Sequence, residues 1–359
     1  QTVNTPLVQA LRHPWVESIV RLGAVEDALT VLHPLLSLTR VRARVARIVD
    51  ETPTTKTFEL QPNALWAGAQ AGQFVRVQLE INGRRVERAY SLSSPPGSRR
   101  IAFTVKRQEQ GLVSGHLHAA VKVGDVLTIS QALGEFVLPD ALPSKMLLLS
   151  AGSGITPVMS MLRDLKARQY QGDVVFLHVC RAPDDLIFAK QLHALTADFP
   201  GLRLAVHYDS HAGFFSPDAL ARQVPDLGAR STWMCGPAGF MDAISAFWDA
   251  QGFGSELLSE RFVGAPVLPS TAPGTPVAVS FVNTGATFTT QGTDPLLVQA
   301  ERAGLTPKHG CRIGICRSCQ CTKTSGTVEN LQTGEVSSAP NELIRLCIST
   351  ARSDVALAL

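Results

Sequence analysis

The sequence lacks long hydrophobic runs, concentrated basic segments and a cysteine pattern suited to disulfides. No uninterrupted apolar stretch approaches the roughly 20 residues that a membrane-spanning helix needs, so we expect no transmembrane segment. The first residues show no charged start followed by an apolar run and a small-residue cleavage site, and we therefore expect a cytoplasmic protein. Without a Lys/Arg run, and with a net charge of only +3, no nucleic-acid partner is expected.

The composition is that of a globular protein with more than one domain. A chain of 359 residues is too long for one ordinary hydrophobic core. Its residues are 45% hydrophobic and 18% charged, which excludes an intrinsically disordered chain. We therefore predict a multi-domain fold.

Seven cysteines are present, and their distribution is uneven. They are Cys180, Cys235, Cys311, Cys316, Cys319, Cys321 and Cys347, so that five fall within the last 49 positions. An odd number clustered at one end is a poor disulfide framework and a good metal-site signature. We predict a metal site in a reducing compartment.

The hydrophobic pattern changes along the chain and indicates four segments and a linker. Residues 1–38 form a helical leader, either packed on the next domain or docking to a membrane or partner helix; the sequence does not separate these two interpretations. Residues 39–142 alternate with a period of two around an Asn82-Gly83 hairpin signal and predict an antiparallel β-barrel.

From 143 to 262, apolar strands alternate with helices, which predicts an α/β doubly wound parallel sheet. Residues 263–276 are rich in Pro, Gly, Ser and Thr and are interpreted as a linker. Residues 277–359 contain strands, one helix and the cysteine cluster, and we expect an α+β, β-grasp-like domain.

The cysteine cluster has the spacing of a plant-type [2Fe–2S] site. Cys311, Cys316 and Cys319 follow the pattern C-x4-C-x2-C, and Cys347 lies 28 positions beyond Cys319. Structural zinc is the alternative, but it usually needs two C-x2-C pairs and this sequence has one. We predict these four cysteines as the metal ligands and interpret Cys321 as a small packing residue.

Two motifs in the barrel segment suit a flavin. In Arg88-Ala89-Tyr90-Ser91, an arginine can pair with a pyrophosphate, a tyrosine can stack on an isoalloxazine and a serine hydroxyl can bond flavin N5. Alone, this motif is also compatible with an ordinary strand end. It is followed by Val105-Lys106 and by Gly111-Leu112-Val113-Ser114 at a predicted helix start, whose backbone N–H groups suit the pyrophosphate of FAD.

Two further motifs lie at strand ends of the α/β segment. Gly152, Gly154 and Thr156 follow the first parallel strand, where glycines let a phosphate approach the backbone. Cys235-Gly236-Pro237 ends the fourth strand at the carboxyl edge, where such sheets bind ligands. A buried structural thiol is the alternative for Cys235.

Together these motifs resemble the ferredoxin–NADP reductase family. R-A-Y-S, G-L-V-S, A-G-S-G-I-T-P, C-G-P-A-G and S-E-R-F occur in that family's order, and the resemblance covers about residues 39–359. The C-terminal fusion looks like the hybrid reductases that serve oxygenases and desaturases. Its tail is most similar to reductase partners of membrane fatty-acyl desaturases.

The resemblance implies roles for individual residues. Arg88, Tyr90 and Ser91 would hold the flavin, with Ser114 and its neighbours at the pyrophosphate. Gly152, Gly154 and Thr156 would meet the nicotinamide nucleotide, with Cys235 near the nicotinamide. Phe262 would cover the isoalloxazine ring, where plant-type members use a terminal tyrosine. The implied catalytic residues are Ser91, Cys235 and Phe262, and the G-L-V-S segment favours FAD over FMN.

The implied activity is electron transfer from NAD(P)H through FAD to the [2Fe–2S] cluster and on to a separate terminal oxygenase or desaturase. After the second parallel strand, an acidic residue would favour a ribose 2′-OH, whereas Arg181 could pair with a 2′-phosphate, and we expect NADPH rather than NADH. With a membrane-bound partner of this kind, the protein would lie peripherally at a membrane through that partner. The alternatives are a self-contained reductase of a small acceptor and a redox-sensing module.

The ligand assignment predicts opposite results for two neighbouring cysteines. Cys347→Ala should lose the cluster, because a cluster ligand is removed, whereas Cys321→Ala should retain it. Iron and sulfide content and the visible absorption of both purified variants check this. Loss of iron from Cys321→Ala, or a full cluster in Cys347→Ala, would contradict the assignment.

Overall fold

The computed structural model describes residues 33–81, 83–109, 111–262, 276–290, 294–309, 314 and 319–359. The chain divides into two units, residues 1–260 and 261–359, which are described separately. The predicted helical leader lies outside the described residues up to position 32, as does the predicted linker from 263 to 275. Among the described residues, no helix has both the length and the apolar character needed to cross a bilayer.

An antiparallel barrel forms the first part of unit 1–260, as the period-two pattern predicts. Its sheet order is β4-β3-β6-β1-β2-β5, and a bridge between Leu92 and Phe103 joins the two outer strands. Alternate side chains fill the interior, including the stacked rings of Phe58 and Phe103. The elements are β1 (Val41–Thr52), β2 (Thr55–Pro62), β3 (Phe74–Ile81), β4 (Arg84–Ser91), β5 (Ile101–Lys106), helix α1 (Leu112–Ala119) and β6 (Val126–Ile129).

A five-stranded parallel sheet forms the rest of this unit, with the order β11-β10-β7-β8-β9. Strands β8 and β9 lie on one side of β7 and strands β10 and β11 on the other, so the strand order reverses between β7 and β10. Open parallel sheets bind ligands at such a switch point. The strands are β7 (Lys145–Ala151), β8 (Asp173–Cys180), β9 (Leu202–Tyr208), β10 (Ser231–Cys235) and β11 (Leu257–Glu260). The helices are α2 (Ile155–Ala167), α3 (Ala189–Ala197), α4 (Asp209–Ala212), α5 (Pro217–Gln223) and α6 (Ala238–Gln251), with 3₁₀ turns at Gly152–Gly154, Pro183–Asp185 and Leu227–Ala229.

The fifth strand, β11, is an addition to the four parallel strands that the sequence predicts. It has four residues, none of them fully buried, and it lies at the edge of the sheet. A short, partly exposed segment of this kind gives a weak hydrophobic pattern. The strand nevertheless matters, because it carries Glu260 to the carboxyl edge.

The second unit has the expected α+β organisation. A five-stranded sheet in the order β13-β12-β19-β14-β17 packs with one helix, and three short strands form a second sheet in the order β16-β15-β18. The elements are β12 (Val277–Phe281), β13 (Ala286–Thr290), α7 (Leu296–Arg302), β14 (Gln320–Ser325), β15 (Val328–Asn330), β16 (Val336–Ser337), β17 (Glu342–Arg345), β18 (Ser349–Ala351) and β19 (Val355–Leu357).

A phenylalanine in the barrel core and one at the surface are expected to contribute very differently to the free energy of unfolding. Phe58 is fully buried and stacks on Phe103, whereas the Phe214 side chain is 94% exposed. Phe58→Ala should lower the free energy of unfolding by about 3–5 kcal/mol because it opens a cavity. The control Phe214→Ala should change it by less than about 0.5 kcal/mol. Denaturant titration measures both, and equal effects would contradict this description of the core.

Candidate electron-transfer sites

The loop after β7 and the end of β10 lie against each other at the switch point of the parallel sheet. A Cβ atom on Gly154 would lie 2.1 Å from the carbonyl oxygen of Cys235, so only glycine allows this approach. Thr156 Oγ1 donates a hydrogen bond to the Ser153 carbonyl at 3.1 Å and holds the loop at the start of α2. The residues present fit a nicotinamide nucleotide, since a Cβ on Gly152 would meet no atom within 4 Å and a phosphate can approach the backbone there, just before the helix start.

The thiol of Cys235 is fully buried at this edge, and Pro237 beyond it is the N-terminal cap of α6. Burial raises the pKa of Cys235 well above its usual value, and the neighbouring Glu260 carboxylate raises it further. The thiol is therefore neutral at physiological pH. Gly236 packs against Ala151, and a Cβ there would lie 3.1 Å from the Ala151 Cβ.

Glu260 and Ser91 connect the parallel sheet to the barrel. Glu260 pairs in register with Cys235 on the neighbouring strand, and Ser91 ends β4 of the barrel. Ser91 Oγ donates to Glu260 Oε2 at 3.4 Å. Burial raises the pKa of Glu260 from 4.5 to about 7, against the opposing effect of the Ser91 hydrogen bond. The carboxyl can therefore hold or release a proton near neutral pH.

Glu260 was not among the residues that the sequence singled out for a role. Its partner Ser91 lies 169 positions earlier in the chain, so the pair arises only from the folded arrangement. The one available signal was its place in Ser259-Glu260-Arg261-Phe262. Phe262 follows two residues later, in the second unit, and its role over the flavin ring stays a prediction.

The predicted flavin residues of the Arg88–Ser91 segment are the last four residues of strand β4. Arg88 is partly buried, and its Nη1 donates to the Glu87 carbonyl at 2.8 Å. One face of the Tyr90 ring stacks on Phe103 with centroids 5.3 Å apart, and burial raises the pKa of the phenol. Ala89 is also partly buried. These residues fit a flavin, but which atoms each would contact stays a prediction.

The loop before α1 has the form expected of a pyrophosphate site. A Cβ on Gly111 would lie 2.3 Å from Ser114 Oγ and 2.8 Å from Gln108 Cβ, so a larger residue there would displace these side chains. Ser114 Oγ accepts a hydrogen bond from the Gln108 N–H at 3.1 Å, which commits this hydroxyl to shaping the loop. No acidic side chain lies in the first turn of α1, and its Leu112 is exposed. These features fit an anion at the helix start.

Two predicted contributors can act only through their backbone. The side chains of Val105 and Val113 pack inside the barrel and are closed to any ligand. Lys106 is different, because its Nζ lies 3.9 Å from Asp185 Oδ1 at the carboxyl edge of the parallel sheet. Arg181 also pairs with Asp185, at 3.2 Å, and is largely exposed.

The two described cluster cysteines lie together in the second unit. Cys319 and Cys347 are both buried, and the Leu346 N–H donates to the Cys319 carbonyl at 3.2 Å. The Gly314 N–H points at Cys347 Sγ at 3.1 Å. An N–H directed at a cysteine sulfur fits a thiolate ligand of an iron–sulfur cluster. Cys311 and Cys316 lie outside the described residues, so their place in the ligand set stays a prediction.

Cys321 differs from these two residues. It lies inside β14 and belongs to the hydrophobic core of the unit. Burial raises the pKa of its thiol to about 12, with a further contribution from Cys319. A thiol held neutral in this way supports its interpretation as a packing residue.

Models of three protein families match the chain in the order of these sites. The oxidoreductase FAD-binding domain matches residues 43–138, the oxidoreductase NAD-binding domain matches residues 148–246, and the 2Fe-2S iron-sulfur cluster binding domain matches residues 281–352. An NADPH oxidoreductase of Mycobacterium tuberculosis is 36% identical, over 96% of this chain and 93% of that protein. The chain belongs to the ferredoxin–NADP reductase family, in the group with a [2Fe–2S] domain.

Further similarities agree with this family. The ferredoxin reductase component of a 3-ketosteroid-9-alpha-monooxygenase from Mycobacterium tuberculosis is 34% identical, over 87% of this chain and 93% of that protein. The solved structure of phthalate dioxygenase reductase has the same fold, with a TM-score of 0.62 and 24% identity over 89% of this chain and 98% of that one.

This reductase is therefore an oxidoreductase that uses a nicotinamide nucleotide, FAD and a [2Fe–2S] cluster. When bound, the flavin would supply the chemistry that links a two-electron hydride donor to a one-electron cluster. The chain's own groups bind and orient these cofactors and exclude water from the buried edge around Cys235. The structure brings Ser91, Cys235 and Glu260 to that edge and leaves the cysteines of the cluster in the other unit.

The raised pKa of Glu260 predicts a pH-dependent stability of the reductase. The folded chain keeps a proton on Glu260 that the unfolded chain has lost, so stability falls as pH rises from 4.5 to about 7. The shift corresponds to a loss on the order of 3 kcal/mol. Denaturant titrations across this range should show that the free energy of unfolding, taken as wild type minus Glu260→Gln, falls by this order. Parallel pH profiles of the two proteins would contradict it.

Proposed function

We propose that this reductase is the electron-supplying component of a multicomponent system with a separate terminal oxygenase or desaturase. The observation that carries the proposal is the buried Cys319–Cys347 pair in the second unit, with the Gly314 N–H directed at Cys347 Sγ. A one-electron cluster attached to a flavin and nicotinamide unit is suited to supply electrons to another protein. The monooxygenase reductase from Mycobacterium tuberculosis supports this by its name and its coverage of both units.

The tethering of the cluster domain also supports an acceptor outside the chain. The region 276–359 has seven Lys/Arg and six Asp/Glu residues, so it does not present a strongly acidic surface. A tethered domain needs little electrostatic steering toward its own flavin, because covalent attachment supplies a high effective concentration. We propose that this acceptor is a membrane-bound desaturase or oxygenase, on the resemblance of the C-terminal sequence to desaturase reductases.

For the coenzyme, we propose NADPH. Arg181 is exposed just beyond β8 at the carboxyl edge, and the Ser210 N–H donates to its carbonyl at 2.8 Å, which fixes its backbone beside the end of β9. Its guanidinium pairs with Asp185 at 3.2 Å, so a 2′-phosphate would compete with this carboxylate. An exposed pair of this kind is weak, so a phosphate can replace the carboxylate. The similarity to an NADPH oxidoreductase supports the same choice.

Replacing Arg181 should change the KM values for NADPH and NADH to different extents. Arg181→Gln should raise the KM for NADPH about tenfold, because a charge-assisted bond to phosphate is lost, and leave the KM for NADH nearly unchanged. Arg203→Gln is the matched control, since Arg203 lies near the opposite end of β9 and pairs with the Gln223 carbonyl at 3.0 Å. Steady-state coenzyme oxidation with ferricyanide measures both variants. A wild-type preference for NADH, or equal effects on both coenzymes, would contradict NADPH as the substrate.

Replacing a cluster cysteine tests whether electrons leave the reductase through the cluster. Cys347→Ala should keep NADPH-driven reduction of ferricyanide, which accepts electrons from flavins directly, and reduce cytochrome c only at background rate. Wild type should reduce both acceptors. If Cys347→Ala reduced cytochrome c as fast as wild type, the cluster would not be the exit and the proposed function would fail.

A further inference from the structure

Helix α2 is held against the barrel by two side chains that bond to backbone carbonyls. Ser160 Oγ donates to the Ser94 carbonyl at 2.6 Å, and Arg163 Nη1 donates to the carbonyl of Ser93. Both carbonyls belong to the segment that leaves β4 after Ser91. The two donors lie three positions apart and so share one face of the helix.

Arg163 is a half-buried charged donor in this contact. Its Cζ lies 5.1 Å from the centre of the Phe188 ring, at the start of α3. Burial lowers the pKa of the guanidinium, and the nearby Glu51 carboxylate acts in the opposite direction. Withdrawing a charge even partly from water is costly unless its contacts are well formed, and one known use of such a group is to fix a unique arrangement.

Glu51, at the end of β1, lies on the barrel side of the contact between α2 and the barrel. Its Oε1 accepts from Thr57 Oγ1 at 2.8 Å, and that hydroxyl is 2.8 Å from Thr104 Oγ1 on β5. Burial raises the pKa of the Glu51 carboxyl, and the Thr57 hydroxyl and the Phe188 backbone act against it. Phe188 is fully buried and has a left-handed backbone, with φ 62°. Such a conformation persists where its surroundings determine it strongly.

These contacts connect the two segments that bind cofactors. Ser93 lies two residues after Ser91, at the end of the flavin segment. Thr156, in the nicotinamide loop, lies one turn before Ser160 on α2. A rigid helix with bonds at both places therefore fixes the separation of the two segments. Movement of α2 along the barrel would move the nicotinamide loop away from the flavin.

We propose that Arg163 is a positioning residue that sets the distance between the flavin and nicotinamide segments, with Ser160 as its second point of attachment. Arg163 is not a catalytic residue, since it acts through Ser93 and α2. The inference rests on the assigned cofactor segments and is independent of the terminal acceptor. Hydride transfer requires close approach, and a misplacement of about 1 Å can cost about a hundredfold in rate.

The experiment measures flavin reduction in the holoenzyme by anaerobic stopped-flow mixing with saturating NADPH. The variants are Arg163→Met, Arg163→Lys and Ser160→Ala. Lys166→Met is the matched control, because Lys166 lies on the same helix but pairs at the surface with Asp198, at 2.8 Å. The long-wavelength charge-transfer absorbance between nicotinamide and flavin serves as a second readout that reports ring stacking.

Arg163→Met should bind FAD fully and reduce it about 10- to 100-fold more slowly, with a weaker charge-transfer band and little change in the NADPH concentration for half-maximal rate. Arg163→Lys should restore part of the rate, and Ser160→Ala should lose less than Arg163→Met. If Arg163→Met fails to bind FAD, Arg163→Lys and Ser160→Ala decide the question.

Wild-type rates and an unchanged charge-transfer band in the folded variants would overturn the inference, even if their melting temperatures fell. Loss of the same magnitude in Lys166→Met would overturn it as well. Because flavin reduction precedes any acceptor, a failure here leaves the proposed function untouched. Conversely, failure of cytochrome c reduction would leave this measurement valid.

Discussion

The attachment of helix α2 to the carbonyls of Ser93 and Ser94 determines where the cofactor segments of unit 1–260 lie. On one side of this contact the chain leads back to Ser91 and the end of β4. On the other it leads to Thr156 and the loop at the switch point of the parallel sheet. Both segments are therefore parts of one packed arrangement. The order of the strands creates the switch point. The contact between α2 and the Ser93 and Ser94 carbonyls sets the position of that switch point relative to the barrel.

The chemistry of the chain itself is modest, as expected when cofactors carry the reaction. The protonation state of the buried edge can change near neutral pH. Cys235 is a neutral thiol, and the pKa of Glu260 is near neutral because burial opposes its ionisation. Ser91 connects this carboxyl to the barrel at the strand where the flavin is expected. A protonatable group at this point is available without exposing the edge to water.

Local patterns in the sequence were enough to predict the three architectures and most strands, because each motif lies within about ten residues and carries its own turn or helix signal. The hairpin between β3 and β4, the Gly111 loop and the helix after Gly154 are examples. Contacts between distant segments could not be predicted in this way. Ser91 and Glu260 lie 169 positions apart, and Arg163 and Ser93 lie 70 apart. Short β11 was missed because an exposed edge strand has little hydrophobic pattern.

The cofactors of this reductase form an ordered relay from the nicotinamide nucleotide through the flavin to the iron–sulfur cluster. The relay can be followed by anaerobic mixing of the purified protein with NADPH, at wavelengths that separate the two chromophores. We expect flavin absorbance to fall first and bleaching of the cluster to follow with a lag. Reduction of the cluster before the flavin, or a cluster that stays oxidised beside fully reduced flavin, would rule out this order.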